Sequence, residues 1–235
     1  KFFPKEFFLT LFKIRLMMKD EKKELKKRSL RIVKKLKELF PNAKIVLKYR
    51  NNWELLVSVI LSAQCTDKKV NEVTKKLFLK YRILNDYIKA SQAEFEQDIK
   101  PTGFYHAKTK NILGAAKMLK ERFEGKIPKT MQEILKLPGV ARKTANVVLG
   151  NAYGVVDGIA VDTHVMRFAQ KLELTIYKDP VKIERDLMGL VLKKDWFFLT
   201  YGLIEYGRHI CVRRKHECKD HPLTKIYPRA ATIWP

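Results

Sequence analysis

The chain has 235 residues, 46% of them apolar, enough for one large domain or two smaller ones with real cores. Its formal charge of +24 points to a polyanionic partner and argues against acidic small proteins as the only target. Three cysteines are too few, and odd in number, for a disulfide framework, so a reducing compartment is expected, and no apolar run is long enough to span a membrane.

The charge is uneven, since residues 1–50 hold 17 Lys and Arg against 5 Asp and Glu. Lys1 to Met18 is Phe-rich and basic, with neither the apolar core nor the small-residue cleavage site of a signal peptide; translation is expected to start at Met17 or Met18, leaving residues 1–16 as an extension. From Leu25 to Phe40 apolar residues recur helically with Lys and Arg between them, which predicts an amphipathic helix with a basic outer face. Trp53–Leu61 is apolar almost all round and predicts a buried central helix. Asp67 is the expected cap of a helix to about Tyr81, and Ser91-Gln92-Ala93-Glu94 reads as a capping box before a short helix ending ahead of Pro101. Lys108–Phe123 follows as an amphipathic helix closed by Gly125.

Thr130 and Glu133 form a second Thr-x-x-Glu box. Pro138-Gly139 breaks the helix it opens, and Arg142 begins an apolar second one. The N–H groups at the start of such a second helix point outward and bind an anion, which suits a DNA phosphate. Lys143 lies in that first turn. Asp162, followed by Thr163-His164-Val165, reads as the N-cap of the next helix. Asp179-Pro180 opens a helix to about Leu192, Asp195–Ile210 is a final apolar helix, and the remainder to Pro235 reads as irregular. The fold class is all-α.

Leu137-Pro138-Gly139-Val140-Ala141-Arg142-Lys143-Thr144-Ala145-Asn146 followed by Val161-Asp162-Thr163-His164 resembles the helix-hairpin-helix DNA glycosylases, and within them endonuclease III. Ser62-Ala63-Gln64-Cys65-Thr66-Asp67, Thr102-Gly103-Phe104-Tyr105-His106-Ala107-Lys108 and Tyr206-Gly207-Arg208 leading into Cys211 resemble further segments of that family, in the same order. The resemblance implies a helical barrel over 45–155 that ends in the hairpin, and a second, discontinuous helical domain from 17–44 and 156–235. It places the active site in the groove between them. It also implies a monomer that removes damaged bases from double-stranded DNA and cuts at abasic sites.

By that resemblance Lys143 is the nucleophile and Asp162 its carboxylate partner. A lysine amine attacking C1′ gives a Schiff base, an electron sink that permits β-elimination of the 3′ phosphate. A free lysine has a pKa of about 10.4, so deprotonation at pH 7 costs about 4.6 kcal/mol. Burial and a helix N-terminus lower that cost; a DNA phosphate and Asp162 raise it, and the sequence leaves the balance open. Taken singly, Lys143 also reads as a phosphate ligand and Asp162 as a plain cap. Adenine glycosylases and other monofunctional relatives carry a different residue at position 143, so the lysine implies glycosylase and lyase activity together, with oxidised pyrimidines as substrates. Gln64 is expected to fill the gap left by the extruded base and Phe104, with Tyr105, to wedge into the opposite strand. Leu137, Gly139, Ala141, Arg142 and Thr144 are expected at the phosphate. His164 is expected beside the pocket or supporting Asp162. The rival readings are a monofunctional or mismatch-type glycosylase of the same fold, and a non-catalytic DNA-binding protein.

Two departures stand out. Many family members hold a [4Fe–4S] cluster through Cys-x6-Cys-x2-Cys-x5-Cys; here the four positions are Cys211, Cys218, His221 and Tyr227. Cluster iron prefers four thiolates, so the expectation is no cofactor and no cluster, with zinc on Cys211, Cys218 and His221, joined by His216 or His209, a lesser alternative, and the loop held by Leu223, Ile226, Tyr227, Ile233 and Trp234. Ala141 stands where a second glycine is usual, and its Cβ would strain a left-handed backbone. Cys65 reads as a small buried apolar residue.

Overall fold

The computed structural model describes the backbone of residues 5–233 and the side chains of 20–233. Among the described residues there are twelve α-helices and no strand. They are α1 (Lys5–Leu39), α2 (Asn52–Leu61), α3 (Asp67–Lys80), α4 (Leu84–Lys89), α5 (Gln92–Ile99), α6 (Tyr105–Arg122), α7 (Met131–Ile134), α8 (Arg142–Tyr153), α9 (Thr163–Lys171), α10 (Pro180–Leu190), α11 (Trp196–His209) and α12 (Pro222–Ile226). The backbone divides into two compact units, one continuous (Lys44–Ala160) and one assembled from both ends of the chain (Lys1–Ala43 with Val161–Pro235).

In the continuous unit α2 is the central helix, packed against α8, α6 and α3. Its sequence is apolar on every side because it has neighbours on every side: Leu55, Leu56 and Leu61 are fully buried. Each such side chain contributes about 1.5–3 kcal/mol. Asn51 caps α2 by accepting from Glu54 N at 2.9 Å. Glu54 is itself buried and is paired by Arg50, whose Nη2 lies 2.6 Å from Oε1. Its burial is therefore compensated by a charge-assisted hydrogen bond. Tyr81, Tyr87 and Phe95 stack as an aromatic cluster with centroids 5.2–5.8 Å apart.

Several local expectations shift. Thr66, not Asp67, caps α3, accepting from Lys69 N at 3.3 Å, and Asp67 becomes its first helical residue. Both residues are good caps, and the helix begins one position earlier than the sequence indicates. Ser91 precedes α5 but its side chain makes no cap bond, and Glu94 is drawn instead to Lys80 at 2.7 Å. Helix α6 starts at Tyr105 rather than Lys108, because Phe104 turns the chain with φ of +49°.

In the second unit α1 packs on α10, α11 and α12, and α9 packs on α10 and α11. Ile32, Val33 and Leu36 form the buried stripe of α1, with Lys22, Lys23, Lys26, Lys27, Arg31 and Lys34 exposed. Across the interface Ser29 Oγ donates to Leu190 O (2.9 Å) and Arg28 to Leu172 O (2.9 Å). The region after Ile210 is less irregular than expected, since it forms α12 and a 3-10 turn, Pro228–Ala231. Pro222 at the first turn of α12 has a fixed φ suited to starting a helix. Trp234, named as a packing residue, lies outside the described residues. So do the side chains of 1–16, where an extension is expected.

Candidate active site

The hairpin is a single turn of helix, a tight reversal, and α8. Thr130 caps α7, with its Oγ1 accepting from Glu133 N at 3.3 Å and donating to Glu133 Oε2 at 2.7 Å. The helix then stops at Ile134, earlier than the expected break at Pro138. Leu137 is buried and its carbonyl accepts from Val140 N (3.2 Å), closing the reversal. Gly139 has φ of +76°, and a Cβ there would lie 2.7 Å from Cβ of Asn111 on α6. Pro138 rests on the same helix face one turn along, since a Cβ on Gly114 would meet its Cγ at 3.4 Å. The reversal is thus seated on α6 through two glycines.

Ala141 is extended, with φ of −90° and ψ of 172°, so the methyl group in place of glycine brings no backbone strain. It offers α8 no side-chain cap, and the N–H groups of a first helical turn have no partner within the helix. Arg142 and Thr144 are half-buried there, and Lys143 is exposed. The arrangement presents a cation and a helix N-terminus on one surface, as anion binding requires.

Two further loops of the same unit converge on a buried lysine. Gln64, three residues past the end of α2, is exposed with φ of +53°. Phe104 is 63% exposed with φ of +49°, so it is not part of the core. Tyr105 is half-buried and its ring lies 4.1 Å from that of His106. Lys108 is only 4% exposed and donates to Leu61 O and to Thr102 O, each at 2.8 Å. Burial pulls its amine below the usual lysine range. Cys65 in this loop is half-buried rather than buried.

In the second unit Asp162 caps α9. Its Oδ1 accepts from His164 N (2.9 Å) and Val165 N (2.8 Å), and Oδ2 takes part in neither bond. His164 is half-buried and held against α11, where a Cβ on Gly207 would lie 2.2 Å from its Nδ1. Sequence reasoning missed Arg167, one turn further along α9. Buried against the Phe168 ring, it donates to Cys211 O at 2.7 Å and Val212 O at 3.1 Å. The signal was an arginine at an apolar-face position of an amphipathic helix. Through it α9 is tied to the cysteine loop.

Cys211, Cys218 and His221 converge there, with ligand atoms all within 4.8 Å of one another. Both cysteines are buried, and His221 Nδ1 is buried without a hydrogen-bond partner. Burial, then the His216 and Lys171 charges, depress the His221 pKa, which favours the neutral ligating form. Two thiols and an orphaned imidazole nitrogen are donors that iron and zinc both accept. Tyr227 is not brought to this group: its hydroxyl donates to Glu173, and Arg28 lies 3.7 Å over its ring.

The model of the HhH-GPD superfamily of base excision DNA repair proteins matches residues 57–193. The chain is 46% identical over 205 residues to endonuclease III of Synechocystis, covering 87% of this chain and 94% of that relative. It superposes on a non-covalent endonuclease III–DNA complex with a TM-score of 0.83 at 40% identity, covering 88% of this chain and 97% of the other. A trapped endonuclease III–DNA covalent intermediate, an estranged-adenine complex, matches with a TM-score of 0.80 at 41% identity, covering 85% and 94%.

The expectation of no cofactor and no cluster is corrected by these findings. Endonuclease III relatives match nearly full length, and theirs is the family in which this loop carries a [4Fe–4S] cluster. Here Cys211, Cys218 and His221 converge as metal donors. The sequence reading counted lost thiolates and kept Cys211, Cys218 and His221 only as a lesser zinc alternative; His221 is held among the two cysteines with a buried ring nitrogen that has no hydrogen-bond partner. By sequence over most of its length and by fold, the chain belongs to the endonuclease III family of the HhH-GPD superfamily of base excision DNA repair proteins.

Proposed function

We propose that the protein is a bifunctional DNA glycosylase and AP lyase that removes oxidised pyrimidines from damaged duplex DNA, with Lys143 as nucleophile and Asp162 as its carboxylate partner. The observation that carries the reading is the exposed Lys143 in the first turn of α8, beside a helix N-terminus that no side chain caps. The relative solved as a covalent DNA intermediate requires a nucleophile, and a lysine supplies one.

The hairpin N–H groups and Arg142 hold a phosphate next to the lesion, which fixes the register of the strand. The base leaves the stack at a cost of a few kcal/mol. Gln64 enters the vacated space while Phe104 and Tyr105 part the opposite strand. The neutral Nζ of Lys143 then bonds to C1′ as the C1′–N bond breaks, its electron pair departing with the base. One of the two protons on that nitrogen is lost, the C1′–O4′ bond breaks as O4′ takes up a proton, and the protonated imine forms with the other proton still on nitrogen. Removal of a 2′ proton then expels the 3′ phosphate, breaking the C3′–O bond. Asp162 accepts the amine proton and stabilises positive charge on the sugar through the carboxylate oxygen its cap does not use. His164, pinned by Gly207, keeps the first turn of α9 in place.

Cys211, Cys218 and His221 would hold the iron centre, whose contribution is to fix this loop and its basic surface against the DNA backbone. Arg167 carries that order to α9. No helix among the described residues is long and apolar enough to cross a membrane, and a DNA substrate suits work in the cytoplasm or nucleoid. A set of duplexes with one lesion each tests the reading. Thymine glycol and abasic duplexes should be cut by the wild type and not by Lys143→Ala. Cleavage by the alanine variant at the wild-type rate contradicts it.

A further inference from the structure

Lys108 belongs to the hairpin-bearing unit and is almost wholly buried. A long charged side chain is almost never fully buried unless it is paired, yet among the described residues no carboxylate forms an ion pair with it. Its charge is met by two main-chain carbonyls at equal distance, Leu61 O and Thr102 O, both 2.8 Å away. Leu61 is the last residue of α2, where unsatisfied carbonyls gather and a cation is favoured. Thr102 ends the 3-10 turn Lys100–Thr102 and is itself buried, with its hydroxyl turned to Ile99 O at 2.8 Å.

Each carbonyl stands just ahead of a strained, exposed side chain. Gln64 comes three residues after Leu61, and Phe104 two residues after Thr102. Both lie in the left-handed region, at φ of +53° and +49°. A non-glycine residue there costs about 1–3 kcal/mol and persists only where its surroundings hold it. The other bonds of these loops are local: Ala63 N to Ile60 O at 3.4 Å, Ser62 Oγ to Val59 O at 2.8 Å and Cys65 N to Ser62 O at 3.1 Å in one, Gly103 N to Lys100 O and Lys108 N to Phe104 O, both at 3.1 Å, in the other. Lys108 is the side chain that bridges the two.

We propose that Lys108 is a positioning residue that locks the Gln64 loop and the Phe104 loop into one rigid two-pronged element, so that both side chains enter the DNA stack together. The inference rests on the reading that Gln64 and Phe104 enter the duplex. With the strut in place the strained conformations are prepared before DNA arrives, and binding does not have to order them. Without it each prong samples other conformers, and discrimination of a lesion from intact duplex weakens. Non-specific backbone contacts, which belong to the hairpin and the basic surface, are untouched.

The test is a double-mutant cycle on lesion preference, the ratio of affinities for a duplex containing one tetrahydrofuran abasic analogue and for the same duplex undamaged. Lys108→Met keeps the length and removes the donors. It should lower the preference about tenfold with undamaged-duplex affinity unchanged. In a Gln64→Ala/Phe104→Ala background the same substitution should have almost no further effect, because it acts through those side chains. If the methionine variant does not fold, Lys108→Gln, which can reach one carbonyl, should give about a threefold loss with the same non-additivity. Preference unchanged in Gln64→Ala/Phe104→Ala overturns the entry of the two side chains, and the strut with it. Preference lost there, but unchanged on substitution of Lys108, overturns the strut alone. So does an equal loss for both duplexes, or a loss that is additive across the cycle.

Discussion

Gly139→Ala tests the seating of the hairpin. An alanine there must hold φ near +76°, which costs about 1–2 kcal/mol for an L-residue. Its Cβ must also share space with Asn111, 2.7 Å from Cβ and 2.9 Å from Cγ, an overpacking that typically costs about 1–3 kcal/mol. The two together give a loss of about 2–5 kcal/mol. Urea unfolding followed by circular dichroism reads the loss. Titration with undamaged duplex reads the displaced phosphate site. Asn111→Gly separates the causes, since it removes the atoms that are struck. Relative to Asn111→Gly alone, adding Gly139→Ala should then cost only the backbone share, about 1–2 kcal/mol. A Gly139→Ala protein destabilised by less than about 0.5 kcal/mol, the range of an ordinary surface substitution, would refute the reasoning.

Asp162→Asn keeps a cap acceptor, because Asn and Asp cap almost equally well, but removes the charge. Base excision should fall by about 10²–10⁴ with thermal stability nearly unchanged, whereas lost stability with normal excision would make Asp162 a cap alone. Tyr81 is pushed up to about 12 by burial and by the hydrogen bond it donates to Asp98 at 2.9 Å. A group that holds its proton more tightly when folded contributes stability below its unfolded pKa, near 10, and loses it as pH rises to about 12. The urea midpoint should therefore drop across that window, and less so in Tyr81→Phe. DNA affinity should fall by about 10³–10⁵ between 50 and 200 mM salt if ~6–10 phosphates are engaged, read by fluorescence anisotropy; a flat profile would leave the +24 charge without a polyanion to explain it. Elemental analysis of anaerobically purified protein should find metal that Cys211→Ser and Cys218→Ser lose. Equal metal content in wild type and variants would place it elsewhere.

The hairpin was legible because its punctuation is local: a threonine cap, a Pro-Gly break, an apolar helix. Why Gly139 is needed was only half legible, since the turn explains its positive φ but not the approach of Asn111, 28 positions earlier in the chain. Lys108 was read as the start of an amphipathic helix. Nothing local distinguishes a lysine that snorkels to water from one that turns inward to two carbonyls. The spacing of Cys211, Cys218 and His221 was plain in the sequence, and their convergence was not, because it depends on the fold of 212–217 and on Arg167 reaching across from α9. The packing of α1 on α10, α11 and α12 could not be read from the residues of α1. A basic amphipathic stripe identifies which face is buried and says nothing of what buries it.

The most direct test of the account is borohydride reduction during reaction with a duplex carrying one abasic site, followed by peptide mapping of the product by mass spectrometry. The account predicts a stable protein–DNA adduct whose modified residue is Lys143, absent in Lys143→Ala. An adduct mapped to another amine, or none with the wild-type protein while base excision proceeds, would contradict it.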